Sequence, residues 1–258
     1  MVEAIAAAVP RTIAQPITAA DRLVWQMASE ITDGATVATG VASPLAVLAI
    51  AVARATHAPR LTYLACVGSL NPRVTQLLGS SEDLAYLDGR SADISISDLF
   101  DHARRGRIDT VFFGAVEVDA AGRTNLSASG SLGSPAIKFP GVVGACSLRR
   151  WCKKPVLVVP RQSKRCLVPR VDVRSTEDDV RRARLLTDLA VFTLGSGGAV
   201  LEAIAAHATG DLVRARTGFS FTIADTVAVL ADPPPHALDA IRALDPRHLR
   251  SELVGAAI

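Results

Sequence analysis

Aromatic side chains are scarce in this chain: they make up 4% of its 258 residues, whereas hydrophobic residues of all kinds make up 49%. The core must therefore be filled by alanine, valine, leucine and isoleucine. Charged residues are also few, at 21%, and the formal net charge is only +3. This composition excludes an intrinsically disordered polymer and predicts a folded globular protein.

The four cysteines lack the spacing of a metal site. Cys66, Cys146, Cys152 and Cys166 form no C-x-x-C pair and have no histidine at ligand spacing, so no bound metal is expected. Free thiols and the lack of a secretory signal predict a reducing, cytoplasmic location. The longest apolar runs, such as 44–53, are too short to span a bilayer, and no membrane association is expected.

Basic residues occur in clusters, but the clusters lack the aromatic side chains that stack on bases. Among the residues of 104–107, 149–154, 161–165 and 181–184, only Trp151 is aromatic. Such clusters are typical of a solvated surface, so no nucleic-acid partner is expected. One of them could meet the phosphates of a nucleotide-containing cofactor.

Short aliphatic runs alternate with amphipathic segments along the chain. Strands are predicted at 35–39, 61–65, 110–118, 155–159 and 188–192, and helices at 19–31, 44–55, 96–105 and 237–253. Runs that are apolar throughout are typical of strands covered on both faces. The pattern predicts an α/β fold with an open, mostly parallel sheet flanked by helices. We expect a single domain over residues 1–258, with a helical extension from about residue 233.

Two segments directly follow predicted strands, which is where open α/β sheets bind their ligands. Gly40 to Ser43 follows the first strand, and Pro44 then begins a helix with Ser43 as its cap. Cys66 stands at the end of the second strand. The Gly40 loop and Cys66 are therefore predicted to lie at one edge of the sheet.

Four motifs occur in the order found in one enzyme family. They are Gly114–Ser127, Phe139–Ala145, Thr187–Phe192 and Val213–Phe219. Together they resemble the β subunits of class I coenzyme A transferases, the glutaconate type in particular. The resemblance implies a CoA-transferase-like fold and a separate α subunit, in an α2β2 assembly with the active site at the interface.

The resemblance fails at the residue that defines transferase chemistry. In these β subunits the glutamate of a Glu-x-Gly element is the catalytic nucleophile, whereas this chain has Cys66-Val67-Gly68. A thiol can attack a thioester, but it cannot form the anhydride through which CoA passes between carboxylates. A transferase would therefore need a carboxylate from elsewhere, such as the partner chain.

Segments 40–44, 62–70 and 80–90 resemble a decarboxylating branch of the family. That branch converts 3-methylglutaconyl-CoA to 3,3-dimethylacrylyl-CoA in the biosynthesis of isovaleryl-CoA. The resemblance implies an acyl-CoA decarboxylase without a cofactor, with coenzyme A only as part of the substrate. Two alternatives are a CoA transferase or acyl-CoA hydrolase acting on a dicarboxylyl-CoA, and a non-catalytic chain that binds CoA esters.

Candidate catalytic residues follow from the chemistry of CO₂ loss. The thioester oxygen gains charge and needs hydrogen-bond donors; the backbone N–H groups of Val143 and Gly144 are the first candidates, and Gly68 is the second. Cys66 has three interpretations: a proton donor to the γ-carbon, a neutral pocket wall, or an apolar filler.

The remaining candidates are contacts with the substrate or with the CoA phosphates. Asn125 either contacts the substrate or stabilises its own loop. The substrate-binding and CoA-binding candidates are Gly40, Ser43, Gly68, Asn125, Lys138, Arg161 and Lys164.

Two further segments are predicted to have structural roles. Glu82 and Asp83 have two interpretations, an acid or base near the site or the capping of a short helix after Ser81, and their sequence context favours capping. Gly195–Gly198 is expected to be a plain loop before a helix that begins near Ala199, because no Lys-Ser/Thr pair follows the glycines.

Overall fold

The computed structural model describes residues 16–176 and 182–255. Its helices are α1 (Ala19–Ser29), α2 (Pro44–Ala55), α3 (Ile96–Arg104), α4 (Ala145–Trp151), α5 (Gly210–Arg216), α6 (Pro235–Leu244) and α7 (Leu249–Gly255). Its strands are β1 (Thr36–Thr39), β2 (Thr62–Ala65), β3 (Ser69–Leu70), β4 (Ala92–Asp93), β5 (Thr110–Gly114), β6 (Glu117–Val118), β7 (Thr124–Asn125), β8 (Ala128–Ser131), β9 (Ser134–Lys138), β10 (Lys154–Val159), β11 (Ala183–Thr187), β12 (Ala190–Gly195), β13 (Gly198–Ala205) and β14 (Phe221–Leu230). Within these two ranges, no helix is long and apolar enough to cross a membrane.

One ten-stranded sheet, in the order β14-β13-β12-β11-β10-β5-β1-β2-β3-β4, organises the fold. Its central strands β11, β10, β5, β1 and β2 run parallel; Val37 of β1, for example, pairs with Tyr63 of β2 and Thr110 of β5. Antiparallel strands extend this group on both sides, β12 beside β11 and β3 beside β2. The predicted α/β fold with a mostly parallel sheet flanked by helices is confirmed.

Helices cover both faces of the central part of the sheet, which explains why the strands β1, β5 and β10 are largely apolar and buried. Neighbouring residues of one strand enter different cores: Phe112 belongs to the core that includes residues of α1, α2, α6 and α7, and Phe113 to the core that includes residues of α3, α4 and α5. Val37 and Ala38 of β1 divide in the same way. The alternation follows from the two-residue repeat of a strand.

Helix α2 begins and ends where the sequence predicted, at Pro44 and Ala55. Proline suits the first turn, because the N–H that it lacks would have no partner inside the helix. The cap differs from the prediction. Ser43 occupies the cap position, but its Oγ donates to the carbonyl oxygen of Val41 at 3.1 Å and makes no hydrogen bond to the helix.

The predicted helix near Ala199 is wrong. Gly195–Gly198 forms the turn of a hairpin, and β13 runs back antiparallel to β12 from Gly198. Side chains along β13 alternate between buried and half-buried, as expected for a strand between two neighbours. The cross-strand pairing overrides the helical preference of its alanine and leucine residues.

The predicted strand at 188–192 also has different bounds. Asp188 and Leu189 form the turn between β11 and β12. Thr187 closes this turn, because its Oγ1 accepts hydrogen bonds from the N–H groups of Leu189 and Ala190 at 3.1 and 2.9 Å.

The predicted C-terminal helix is divided into α6 and α7 at Asp245-Pro246. Proline cannot donate a backbone hydrogen bond, and the carboxylate of Asp245 instead accepts from the N–H groups of Leu249 and Arg250 at 2.9 and 3.0 Å. This segment packs against the main body, α6 on α2 and α7 on α1. Ile241 of α6 is fully buried in the same core as the sheet.

Candidate active site

A cavity of about 410 Å³ opens at the carboxyl ends of the parallel strands. Residues at or just beyond the ends of β1, β2, β5 and β10 line it: Gly40, Cys66, Gly114 and Pro160. This is the edge of the sheet where the sequence placed the Gly40 loop and Cys66. Ligands of open α/β sheets bind at this edge.

The cavity wall is mainly aliphatic and aromatic. Apolar side chains come from both cores and include Met27, Leu45, Leu99, Phe100, Phe112, Phe113, Leu148 and Leu253. Polar side chains are few and include Thr39, Ser43, Cys66 and Ser95. A wall of this composition holds an apolar acyl chain well and solvates a carboxylate poorly.

The thiol of Cys66 is half-buried and faces backbone and carboxylate acceptors. Its Sγ lies 3.2 Å from the carbonyl oxygen of Gly40, 3.8 Å from that of Ser81, and 3.7 Å from Oε1 of Glu82. Burial raises the pKa of the Cys66 thiol above its ordinary value, and the negative charge of Glu82 raises it further. Cys66 is therefore a neutral, proton-bearing thiol at neutral pH.

Glu82 belongs to the surroundings of Cys66, although its sequence context predicted helix capping. Its Oε1 accepts hydrogen bonds from the N–H of Ala42 at 2.7 Å and from Oγ of Ser81 at 2.9 Å, and its Oε2 accepts from Oγ of Ser80 at 2.6 Å. Burial alone would raise the pKa of Glu82, but these hydrogen bonds outweigh it and hold the pKa below its usual value. Glu82 is thus an anion.

The predicted capping role belongs to Asp83 alone. Its Oδ1 accepts a hydrogen bond from the N–H of Ala85 at 3.0 Å, at the start of the 3-10 helix Leu84–Leu87. Glu82 is distant from Cys66 in sequence, so no local pattern could have shown that the two side chains meet.

Val143 and Gly144 both line the cavity, in the loop before α4. Val143 has a positive φ of 43° and a side chain that is 71% exposed. A β-branched residue rarely adopts this conformation, and such strain is concentrated at functional sites. Ala42, across the cavity in the Gly40 loop, also has a positive φ, of 53°.

Gly68 lines the cavity, but its N–H is already engaged. The N–H donates to the carbonyl oxygen of Ala65 at 3.0 Å in the turn after β2. Its φ of 106° requires glycine, and a side chain there would approach the carbonyl oxygen of Ile94. Gly68 therefore shapes the turn that carries Cys66 and does not supply a donor to the substrate.

Asn125 lies outside the cavity wall and is fully buried. Its Nδ2 donates to Oε2 of Glu117 at 2.8 Å and to the carbonyl oxygen of Ala128 at 2.7 Å. Its Oδ1 accepts from the N–H of Ser127 at 3.0 Å. Of the two roles considered for Asn125, the structure supports stabilisation of its own loop.

The three cations assigned to CoA phosphates lie on the surface, outside the cavity wall. Lys138 ends the exposed strand β9, shortly before the loop that contains Val143. Arg161 follows Pro160 of the wall and donates from Nη1 to the carbonyl oxygen of Gly255 at 3.4 Å. Lys164 is exposed in the next turn. Their contact with CoA phosphates stays a prediction.

Comparison with known proteins places this fold and cavity in one family. Residues 23–208 match the family described as Coenzyme A transferase. The chain belongs to the coenzyme A transferase family. It is also 27% identical to a subunit of the 3-oxoadipate CoA-transferase of Pseudomonas knackmussii, over 85% of this chain and 90% of that one.

Two solved structures are similar to this chain over most of its length. The chain is 60% identical to a chain of the decarboxylase AibA/AibB, with a TM-score of 0.91 over 93% of this chain and all of that one. Glutaconate coenzyme A-transferase from Acidaminococcus fermentans has the same fold, with a TM-score of 0.79 at 18% identity over 89% and 95% of the two chains. The resemblance to CoA-transferase β subunits of the glutaconate type is confirmed.

Proposed function

We propose that this chain is the β-type subunit of a two-subunit acyl-CoA decarboxylase that converts 3-methylglutaconyl-CoA to 3,3-dimethylacrylyl-CoA. The observation that carries the proposal is the neutral thiol of Cys66 in an apolar cavity, where a transferase needs a carboxylate nucleophile. The 60% identity to the decarboxylase AibA/AibB supports the same reaction class. This activity belongs to the biosynthesis of isovaleryl-CoA.

The reaction needs no covalent intermediate. The bond between the terminal carboxylate and the γ-carbon of the acyl chain breaks, and CO₂ leaves. The electron pair spreads into a dienolate conjugated with the thioester. A proton then adds at the same γ-carbon. The apolar wall favours the first step, because the charge of the carboxylate is concentrated in the substrate and dispersed in the transition state.

Two groups of this chain act on the developing charge. The backbone of Val143 and Gly144, at the mouth of the cavity, faces the thioester oxygen, and one donor of this kind contributes about 10²–10³ in rate. The thiol of Cys66 stands at the carboxylate end as a neutral wall, and it or a bound water supplies the proton to the γ-carbon.

The proposal includes a partner. The relative AibA/AibB is named as a pair of proteins; we infer that this chain likewise works with an α-type subunit, as α2β2, with the partner completing the cavity mouth. Exposed apolar side chains of Val41, Ile96 and Val143 rim that mouth and support an apolar contact there. The cytoplasmic location stays a prediction.

A CoA transferase or acyl-CoA hydrolase is the second candidate, favoured by the similarity to a 3-oxoadipate CoA-transferase chain. Such an enzyme needs a reactive carboxylate in the cavity. Glu82 does not line the cavity, since it lies behind Cys66 and is held by Ala42, Ser80 and Ser81. A non-catalytic chain that binds CoA esters is the third candidate.

The deciding experiment is to co-express the chain with its α-type subunit and incubate the complex with 3-methylglutaconyl-CoA. Mass spectrometry should show a CoA ester lighter by one CO₂. Free CoA, or CoA on an added carboxylic acid, would establish the hydrolase or transferase instead. Equal turnover by the α-type subunit alone would assign catalysis to the partner.

A further inference from the structure

Cys66 is held between two groups of polar side chains. On one side, Oε1 of Glu82 lies 3.7 Å from its sulfur. On the other side lies Thr39, whose Oγ1 is 3.0 Å from the hydroxyl of Tyr63. Tyr63 is fully buried, and burial raises its pKa, so it stays neutral. Glu82 is therefore the charged group that faces the thiol from these elements.

The carboxylate of Glu82 is fixed in place. Three hydrogen bonds, from Ala42, Ser80 and Ser81, hold both of its oxygens. These bonds also join the Gly40 loop to the segment before the 3-10 helix, so that Glu82 has little freedom to turn away from the thiol. A fixed negative charge at this distance opposes the ionisation of a thiol.

A thiolate at position 66 would have an unwanted reaction open to it. It would attack the thioester carbonyl of the substrate, forming a bond between Sγ and the acyl carbon and breaking the bond to CoA. The CoA thiolate would leave and take a proton from water, and the chain would be left acylated. Decarboxylation requires that CoA stay attached, so the thiol must remain protonated.

We propose that Glu82 is a positioning residue that acts through Cys66, keeping the thiol in its neutral form and so withholding a nucleophile from the thioester. The inference rests on the proposed function, since it explains how a cysteine is compatible with decarboxylation. Glu82 selects between reactions and does not touch the substrate.

The test is the ionisation of Cys66 in the full complex, read without substrate. Alkylation of residue 66 by iodoacetamide is followed by peptide mass spectrometry across alkaline and neutral pH, which separates it from the exposed Cys146. Glu82→Gln keeps the acceptor for Ala42 and removes the charge. In this variant the pH midpoint of Cys66 alkylation should fall by about one pH unit, which corresponds to about tenfold faster alkylation at neutral pH.

Two control variants separate charge from loop structure. Asp83→Asn removes a neighbouring charge that does not contact Cys66, and Ser80→Ala removes one hydrogen bond to Glu82 but leaves its charge; neither should lower the midpoint. An unchanged midpoint in Glu82→Gln would overturn the inference, as would an equal fall in Ser80→Ala.

A second variant covers the case in which Glu82→Gln does not fold. Glu82→Asp keeps the charge but shortens the side chain and so moves the charge away from the sulfur, which should lower the midpoint of Cys66 alkylation. An unchanged midpoint in Glu82→Asp would count against the inference. Failure of the unaltered complex to release CO₂ would instead overturn the proposed function, and the two results are read in separate assays.

Discussion

The ring of Phe100 in α3 lies directly over the backbone of Gly144, the residue at which α4 is capped. A Cβ atom added to Gly144 would stand 2.3 Å from Cζ of this ring. Phe100 is braced in turn by an edge-on contact with Trp151 at the other end of α4, with ring centroids 6.4 Å apart. The ring and the loop together form one wall of the cavity.

This contact predicts the effect of Gly144→Ala. Phe100 must shift, and overpacking of this kind lowers the free energy of unfolding by about 1–3 kcal/mol. Urea unfolding should show this loss, and kcat/KM for the acyl-CoA should fall because the ring is part of the cavity wall. Gly133→Ala is the control, because no atom lies within 4 Å of the added Cβ. Full activity in Gly144→Ala would contradict the prediction and show that the Phe100 ring can move aside without cost to catalysis.

Cys66 gives a prediction about pH. Its pKa is raised in the folded chain, so the unfolded chain loses the thiol proton first as pH rises. The contribution of this thiol to the free energy of unfolding should therefore be constant below the ordinary thiol pKa of about 8.5 and decline above it. Cys66→Ala should show a shallower decline when both proteins are unfolded in urea across this range. Parallel curves would mean that the thiol ionises equally in both states.

Substitutions of Cys66 distinguish between the roles proposed for its thiol in catalysis. If the thiol protonates the γ-carbon, Cys66→Ser keeps the fold and turns over more slowly, and the rate of the parent falls at alkaline pH as the thiol ionises. The measurement is the steady-state rate of CO₂ release from about pH 6 to about pH 10, a range that spans the ordinary thiol pKa. An unchanged rate in Cys66→Ala would assign the proton to water and leave Cys66 as a wall of the cavity.

Asn125 and Lys138 should respond in opposite ways to alanine substitution. Asn125→Ala removes one of the two hydrogen bonds to the buried Glu117 and those that hold the backbone of its loop, which should lower the free energy of unfolding by about 2–3 kcal/mol. KM for the acyl-CoA should not change. Lys138→Ala should raise KM and leave stability alone, because its side chain is exposed. A raised KM in Asn125→Ala at unchanged stability would contradict this assignment.

Arg250 and Asp21 form an ion pair with both side chains buried, between Nε and Oδ1 at 2.6 Å. Arg250 also pairs with Asp245 at 2.9 Å. Arg250→Met would leave the buried carboxylates of Asp21 and Asp245 without their cation. Breaking a buried ion pair lowers the free energy of unfolding by about 3–5 kcal/mol. Urea unfolding should show this loss, whereas Arg60→Met, which removes an exposed partner of Asp33, should leave the midpoint in place. Equal effects of the two variants would refute the difference.

The sequence predicted those parts of the fold whose signals are local. Pro44 and a continuous apolar run define α2 to the residue, and the aliphatic strands identify the parallel sheet. The hairpin of β12 and β13 was missed because glycine followed by an alanine-rich segment also suits a helix, and only pairing across strands decides the matter. Composition gave no sign of it.

The candidate site could be predicted only in part, because contacts between residues that are distant in sequence leave no local signal. Cys66 and the Gly40 loop were placed correctly because both follow strands. Glu82 was missed because its contact with Cys66 forms only after the chain has folded, and Asn125 was given two roles because an amide in a turn suits either. Burial decided between them.

The ion pair of Asp21 and Arg250 can form only after almost the whole chain has been synthesised. The two residues are 229 positions apart, so at about 5–20 residues per second a ribosome makes Arg250 roughly 10–50 s after Asp21. During that interval α1 emerges with its acidic side chain uncompensated, and the cavity lacks Leu253 of α7. A nascent chain released before α7 would thus carry the motifs of the family without a finished pocket.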